Sequence, residues 1–180
     1  MLVVKSTDHA TVRVAASPTS YVFPVDTPRS YVDTFGAPRM NGTPYAHAHQ
    51  GIDVFAPEGT PVRAVSDGIV FNVGVATLGG NKLWLRTRDG TCYYYAHLAQ
   101  FGPNTLDPKS KNSGSNQTHR VSAGQVLGSV GRSGNALDSP PNLHFEIHPK
   151  CGGAINPTPV LKALEVGDIS TVKRLVVGGR

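Results

Sequence analysis

An imidazole and a carboxylate stand close together in the segment His49-Gln50-Gly51-Ile52-Asp53. Imidazole nitrogen and carboxylate oxygen both bind zinc well, at about 2 Å from the ion. A fully extended strand would separate the ends of this segment by about 13 Å, too far to share one ion. Gly51 permits a bend, so His49 could end a loop while Asp53 opens the next strand. Taken alone, the pair fits a hydrogen-bonded surface pair better than a ligand pair.

The segment from residue 142 to residue 148 alternates strictly between polar and apolar residues, reading NLHFEIH. Such alternation is typical of a strand with one buried face. The polar side would carry an amide, a carboxylate and two imidazoles, from Asn142, Glu146, His144 and His148. Neighbours on one face are about 6.6 Å apart, which suits a metal ligand beside a group that contacts metal-bound water. Taken alone, the pattern fits a half-exposed strand with a solvated polar side better than a site.

A third histidine, His97, ends the aromatic segment Tyr93-Tyr94-Tyr95-Ala96. On its own it is best explained as a packed histidine or one at the rim of a sheet. Other chemistries lack their motifs: the sequence has no GxxxxGK[ST] phosphate-binding loop. The segment Gly131-Arg132-Ser133-Gly134 lacks the second glycine of a nucleophile elbow.

The composition favours an anionic partner over a membrane span. The 180 residues carry 17 Lys and Arg against 12 Asp and Glu, a net charge of +5. An excess of positive charge suits nucleic acid, a membrane surface or an acidic polymer such as cell wall. Basic residues are not interleaved with aromatic ones, so we expect no nucleic-acid binding. No apolar stretch approaches the roughly 20 residues of a membrane span, and the N-terminal residues do not resemble a signal peptide.

Turn signals recur about every eight to twelve residues from residue 20 onward, as in an all-β domain. Predicted strands are 21–23, 31–34, 52–55, 61–64, 68–75, 82–86, 91–97, 125–130 and 143–148. One short C-terminal helix is predicted, with Thr158 as its cap, Pro159 in its first turn and an apolar stripe ending before Gly167. We expect a lead-in over 1–19, one domain over 20–166 with a long polar loop at 102–120, and a tail over 167–180.

Taken in order, the three histidine-bearing segments resemble the lysostaphin-type, or LytM-type, zinc metallopeptidases. The resembling motifs are His49…Asp53, Tyr95-Ala96-His97-Leu98 and Leu143-His144-Phe145-Glu146. The intervening segments follow the same pattern, including Phe35-Gly36-Ala37-Pro38-Arg39, Ala56-Pro57-Glu58-Gly59-Thr60-Pro61-Val62 and Gly131-Arg132-Ser133-Gly134-Asn135. The resemblance covers about residues 33–161, and the ordered set of motifs is far more specific than any one of them.

The resemblance implies an all-β fold of antiparallel sheets, of the duplicated hybrid motif type, with a groove across one sheet. It implies a zinc ion held by His49, Asp53 and His144, with water in the fourth position. His97 would be a catalytic histidine beside the developing oxyanion. The substrates of the family are peptides of cell-wall peptidoglycan, so the protein would act outside the cytoplasmic membrane, in the periplasm, in the cell wall or after secretion. We expect a monomer.

One departure from the family pattern bears on activity. The last family motif is HxH, whose first histidine is taken as the general base, and this chain has Asn142 there. An amide forms hydrogen bonds but takes no proton near pH 7. General-base catalysis typically contributes about 10²–10⁴-fold to rate. With the ligand set intact, we expect zinc binding with crippled or absent turnover, and His97 could act as the only base.

Two other interpretations use the same residues. A non-catalytic family member would bind wall peptide or regulate another hydrolase, which Asn142 favours, although a pure binder has no need of three ligands. The segment Val121 to Gly128 resembles biotinyl and lipoyl barrels, but the modifiable lysine of such carriers is missing. The two cysteines, Cys92 and Cys151, could form a bridge in an oxidising compartment.

Overall fold

The computed structural model describes residues 20–103, 105 and 118–178. The lead-in expected over 1–19 and most of the polar loop expected at 102–120 lie outside these residues. The strands are β1 Pro38–Arg39, β2 His47–Ala48, β3 Ile52–Phe55, β4 Pro61–Arg63, β5 Gly68–Ala76, β6 Gly80–Thr87, β7 Cys92–Leu98, β8 Gln100–Phe101, β9 His119–Val121, β10 Val126–Ser129 and β11 Asn142–His148. The α-helices are α1 Thr158–Glu165 and α2 Ile169–Val177.

The strands form three antiparallel sheets, which confirms the predicted all-β class. The largest sheet has six strands in the order β3-β11-β7-β6-β5-β9. A three-stranded sheet, β4-β10-β8, and the β1-β2 pair complete the set. Within the described part of the chain, neither helix is long and apolar enough to cross a membrane.

The two faces of the six-stranded sheet have different roles. On β11, Leu143, Phe145 and Ile147 are fully buried, as the alternating pattern predicts. Tyr93 and Tyr95 of β7 are buried on the same side, and the Tyr95 ring meets the Phe145 ring edge-on. This face forms the core, and the opposite face is left to line a groove.

Two predicted strands, 21–23 and 31–34, are not strands in the structure. Isolated bridges form in and between these segments, at Tyr21, Val25 and Ser30. Pro24 lies between them and has no backbone N–H, so it cannot donate to a ladder at that point. The segment therefore touches the sheets at single positions and does not add a continuous strand.

The predicted helix is present as α1, but Thr158 is its first helical residue and does not cap it. Pro157 occupies the cap position, and no side chain caps the helix there. The Thr158 hydroxyl is buried and has no hydrogen-bond partner among the described residues.

The expectation of a single helix is wrong, because α2 forms in the segment expected to be a tail. The Asp168 carboxylate caps it by accepting from the Thr171 N–H at 3.1 Å. Val172 and Val176 lie four residues apart on one face of α2 and are fully buried. This apolar spacing is a helical signal, and it is supported by packing against α1.

Cys92 and Cys151 form a disulfide, the bridge that the sequence left open. It joins the first residue of β7 to a short 3₁₀ turn, Pro149–Cys151, that directly follows β11. Because β7 and β11 are neighbours in the large sheet, the disulfide closes the end of this strand pair.

Candidate metal centre

Strand register and a close backbone approach bring together the three candidate ligands, His49, Asp53 and His144. The register of β3 against β11 places Asp53 directly opposite His144. His49 precedes β3, where the chain passes very close to β11. A Cβ at Gly51 would collide with the Phe145 carbonyl oxygen, so this approach requires glycine. The bend allows His49 and Asp53 to converge, which an extended strand would not.

Three potential ligand atoms meet at one point on the groove face. His49 Nε2 lies 2.9 Å from His144 Nδ1 and 3.3 Å from Asp53 Oδ1. His144 Nδ1 lies 3.1 Å from the same Asp53 oxygen. All three atoms lie within 4.8 Å of one another. Two imidazole nitrogens and one carboxylate oxygen form a donor set that fits catalytic zinc, which takes three protein ligands and leaves a position open.

The other ring nitrogen of each histidine has a partner that can fix its orientation. His144 Nε2 lies 2.8 Å from Glu146 Oε1, so its N–H can donate to this carboxylate. Nδ1 would then offer its lone pair to a metal ion once it has lost its own proton. His49 Nδ1 lies 3.1 Å from the Thr34 carbonyl oxygen, which can accept a hydrogen bond from an N–H there. Outer hydrogen bonds of this kind orient metal-binding histidines and raise their donor strength.

The cluster is strongly coupled electrostatically. Burial raises the pKa of Asp53, but hydrogen bonds from His144 and His49 outweigh burial and hold that pKa well below its usual range. Burial lowers the pKa of His144, whereas its bonds to Asp53 and Glu146 raise it more, to about 9. Arg39 also donates to Asp53 Oδ2 at 2.8 Å, which leaves Oδ1 for the cluster.

His97 reaches the groove because β7 is irregular. Regular alternation would place it on the core side with Tyr95. Between the pairs Leu83–Tyr95 and Asn81–Leu98, β7 has one more residue than β6, a bulge that re-aims side chains. His97 itself has φ 64°, in the left-handed region. Its ring therefore turns to the groove face, 5.8 Å from the His144 ring between centroids.

The His97 ring is held in one tautomer. Its Nδ1 lies 2.9 Å from the Ser133 carbonyl oxygen, which can only accept, so Nδ1 carries the proton. Burial lowers the pKa of His97, and the neighbouring His144 lowers it further. The neutral ring therefore keeps a lone pair on Nε2.

Asn142 lies on the same side of β11 as His144, two residues before it, and is the first residue of the strand. Its Nδ2 donates to the Pro140 carbonyl at 2.9 Å and to Ser139 Oγ at 3.2 Å. Because the Pro140 carbonyl can only accept, these bonds fix which way the amide points. Asn142 Oδ1 is buried without a hydrogen-bond partner among the described residues.

Glu146 and His148 continue the polar side of β11, and both are buried. Burial raises the pKa of Glu146, but hydrogen bonds from His144 and His148 lower it to about 2. Burial lowers the pKa of His148, while Glu146 and the Gly152 carbonyl raise it by a larger amount. The alternating pattern predicts both residues on the polar side of the strand. It does not predict that Glu146 contacts both His144 and His148.

Arg39 and Thr34 also contact His49, although neither is among the site residues that the sequence predicts. Both lie near His49 through tertiary contacts, Thr34 Oγ1 at 3.0 Å from its Nδ1. No local spacing in the sequence indicates these contacts.

The cluster lies in a cavity of about 770 Å³ that runs along the sheet. Its lining includes the ligand cluster, His97 and Asn142. It also includes Lys82 and Trp84 of β6 and Tyr94 of β7, whose ring centroid lies 6.0 Å from that of His144. The Trp84 and Tyr94 rings are in contact, with centroids 4.8 Å apart. The groove thus combines a candidate metal centre with aromatic side chains and a lysine.

The chain belongs to Peptidase family M23, whose model matches residues 47–157. An L-Ala--D-Glu endopeptidase of Bacillus subtilis (strain 168) is 32% identical over 154 residues, covering 81% of this chain and 44% of the relative. The glycyl-glycine endopeptidase ALE-1 of Staphylococcus capitis is 35% identical over 128 residues, covering 68% of this chain and 32% of the relative. The chain spans less than half the length of these two relatives.

Solved structures with related sequences share the fold. The catalytic domain of lysostaphin from Staphylococcus simulans has a TM-score of 0.55 at 29% identity, with 74% of this chain and 91% of that chain covered. A putative glycyl-glycine endopeptidase lytM from Ruminococcus gnavus has a TM-score of 0.62 at 26% identity, with 82% and 61% covered. The resemblance to this family is therefore confirmed.

Proposed function

We propose that this domain is a zinc-dependent endopeptidase domain for cell-wall peptidoglycan whose turnover is reduced or abolished by Asn142. The observation that carries the proposal is the convergence of His49, Asp53 and His144 on the floor of a groove. Membership of Peptidase family M23 supports the reaction class.

The three converging side chains would hold the ion, through His49 Nε2, Asp53 Oδ1 and His144 Nδ1. Bound zinc supplies Lewis acidity, lowering the pKa of a coordinated water to about 7 and polarising a carbonyl oxygen. The protein fixes the geometry: Gly51 permits the approach, and Glu146 and Thr34 hold the outer ring nitrogens. Arg39 keeps Asp53 Oδ2 occupied.

His97 would transfer a proton in the groove through its Nε2. Its Nδ1–H is committed to the Ser133 carbonyl, so only Nε2 faces the reaction space. A neutral imidazole can accept a proton there and return it to the leaving amine. The ring is fixed by the bulge of β7, so this position is defined before substrate binds.

Asn142 occupies the position of the family's general base but cannot perform that role. Its unpartnered Oδ1 can accept a hydrogen bond from a water or a substrate N–H, and it takes no proton near pH 7. Loss of a general base typically costs about 10²–10⁴-fold in rate. The residue therefore favours binding and orientation over turnover.

The names of the relatives support peptides of peptidoglycan as substrate. The two curated relatives described above are named for different peptide bonds, L-Ala–D-Glu and glycyl-glycine. The positive net charge of +5 suits an anionic wall. Such a substrate places the site of action outside the cytoplasmic membrane, and we propose that the domain acts there as a monomer.

The test is digestion of purified peptidoglycan by the zinc-loaded protein and by Asn142→His, followed by mass spectrometry of released peptides. We expect the histidine variant to release peptides at least about 10²-fold faster. Asn135→His is the matched control, because it adds a histidine to the same cavity away from β11. Release by the control at the same rate as Asn142→His would contradict the assigned role.

A second candidate is a non-catalytic member that binds wall peptide or regulates a hydrolase, and Asn142 is the observation that favours it. This candidate predicts that zinc binds while neither the natural chain nor Asn142→His cuts any wall type. Failure of the purified protein to bind zinc would exclude the endopeptidase and the zinc-binding alternative together.

A further inference from the structure

One buried polar residue on the groove face, His148, has no role in the proposed chemistry, although Glu146 links it to His144. Glu146 and His148 follow His144 on the polar side of β11, and each is less than 10% exposed. Buried charged groups are costly unless they are paired and hydrogen-bonded. Their hydrogen bonds form one continuous series that begins at the candidate metal ligand His144.

The Glu146 carboxylate bridges two imidazole rings. Oε1 lies 2.8 Å from His144 Nε2, and Oε2 lies 2.6 Å from His148 Nε2. On its far side, His148 Nδ1 lies 2.7 Å from the Gly152 carbonyl oxygen. A carbonyl and a carboxylate both accept, so His148 donates from both ring nitrogens and is an imidazolium.

The last acceptor in this hydrogen-bond series, the Gly152 carbonyl, lies next to the disulfide. Gly152 directly follows Cys151, and its N–H returns to the Pro149 carbonyl at 3.0 Å. Cys151 is bonded to Cys92, which is the register partner of His148 across β7 and β11. The Gly152 carbonyl is thereby fixed relative to the strand that carries His148.

We propose that His148 is a positioning residue for the metal site: it locks the Glu146 carboxylate, which in turn fixes the tautomer and orientation of His144. The turn closed by the disulfide supplies the rigid acceptor, the Gly152 carbonyl, at the end of this hydrogen-bond series. The inference rests on the proposed metal site, but not on whether the domain cleaves peptide.

A packing role would leave a different signature. The His148 ring also lies against Trp84, with centroids 5.0 Å apart, so part of its value could be contact area. Packing would be retained by a ring or chain of similar size without charge. Positioning needs donors and positive charge directed at Glu146, and it must change the metal affinity.

The test measures zinc affinity by competition with a chelator of known affinity. Outer-sphere substitutions of this kind typically cost about 10–100-fold in metal affinity. We expect a loss in this range for Glu146→Gln and about tenfold, its lower end, for His148→Gln. His148→Arg keeps the charge and the donors toward Glu146, so it should recover affinity relative to His148→Gln. His119→Gln, an exposed histidine on β9, is the control and should bind as the unmodified chain does.

Three readouts guard against a folding artefact. Variants are compared by urea unfolding without metal, and the visible spectrum of the Co²⁺-loaded protein reports the ligand geometry directly. Nitrogen NMR of the histidine rings in the unmodified, zinc-loaded chain needs no variant at all. We expect protons on both nitrogens of His148.

Either of two results overturns the inference: unchanged zinc affinity and Co²⁺ spectrum in a folded His148→Gln variant, or an unprotonated ring nitrogen on His148. If the unmodified chain binds no zinc, the proposed function fails first. If it binds zinc and His148→Gln binds equally well, only this inference fails.

Discussion

His97 and Asn142 flank the three converging ligands and differ in what they can do with a proton. The ring of His97 is neutral and keeps a free lone pair, because burial lowers its pKa and Ser133 holds its other nitrogen. The amide of Asn142 offers only hydrogen bonds. At the scale of single residues, therefore, the groove holds three converging candidate ligands and one imidazole that can exchange a proton beside them.

His97 should be essential in any active form of the domain. In the Asn142→His background, we expect His97→Gln to lower peptide release by about 10²–10⁴-fold, because it removes the ring whose Nδ1 is held by the Ser133 carbonyl and whose Nε2 can exchange a proton in the groove. Zinc content, measured in parallel by elemental analysis, should stay the same. A loss of zinc with the activity would instead place His97 among the ligands.

Metal removal should destabilise the folded domain. A metal that binds only the folded state adds about 2.7 kcal/mol when its free concentration is 100 times its Kd. We therefore expect a chelator to lower the thermal midpoint of the zinc-loaded chain. Asp53→Ala removes one ligand and should make the midpoint insensitive to the chelator. The expectation fails if chelator lowers both midpoints equally.

At the scale of elements, strand register and one irregularity assemble the groove. The β3–β11 register sets Asp53 against His144, and the bulge in β7 turns His97 to the same face. Helix α2 contributes from outside the sheets, since Val172 and Val176 complete the core beside α1. Elements far from the ligands therefore stabilise the scaffold that holds them.

Helix α2 should contribute measurably to stability through its buried valines. Val172→Ala removes two buried methyl groups, which at about 0.8 kcal/mol each, plus a cavity term, predicts a loss of about 2 kcal/mol. Val75→Ala on β5 is the matched control, since that side chain is 69% exposed. Urea unfolding of both variants makes the comparison, and equal losses would show that α2 does not pack as described.

At the scale of the whole molecule, the net charge and the groove together favour an extended anionic ligand. The charge of +5 is distributed over a chain with few charged residues, 16% of the total. Lys82 lies in the groove, where its ammonium is held by the Asn72 carbonyl and side-chain oxygens at 2.7 Å. An acidic polymer lying along the sheet would pass this ammonium and the Trp84 ring.

Binding to insoluble peptidoglycan should weaken as salt rises from 0.1 to 1 M, because the screening length falls from about 10 to about 3 Å. Lys82→Gln should lower the bound fraction at low salt and reduce its salt dependence. Lys162→Gln removes the same charge from an exposed position on α1 and should have a smaller effect. Sedimentation of wall with bound protein measures each fraction, and equal effects would mean that net charge alone drives binding.

The sequence by itself predicted the sheet-rich class and most long strands, and the family resemblance pointed to the three side chains that converge in the structure. Alternation in β11 is a local property, and burial of Leu143, Phe145 and Ile147 follows from it directly. The ordered motifs also indicated the family. The same local patterns failed at residues 21–34, where the expected strands are single bridges, and at α2, which was expected to be a tail.

Only the tertiary structure decided how these residues meet. His49 and His144 are 95 positions apart, and their ring nitrogens approach through the register of β3 on β11. The orientation of His97 depends on a bulge in β7. The contacts of Arg39, Glu146 and His148 depend on which segments of the protein lie beside them in the fold. Such contacts arise from long-range packing and hydrogen bonding, which leave no period or spacing in the local sequence.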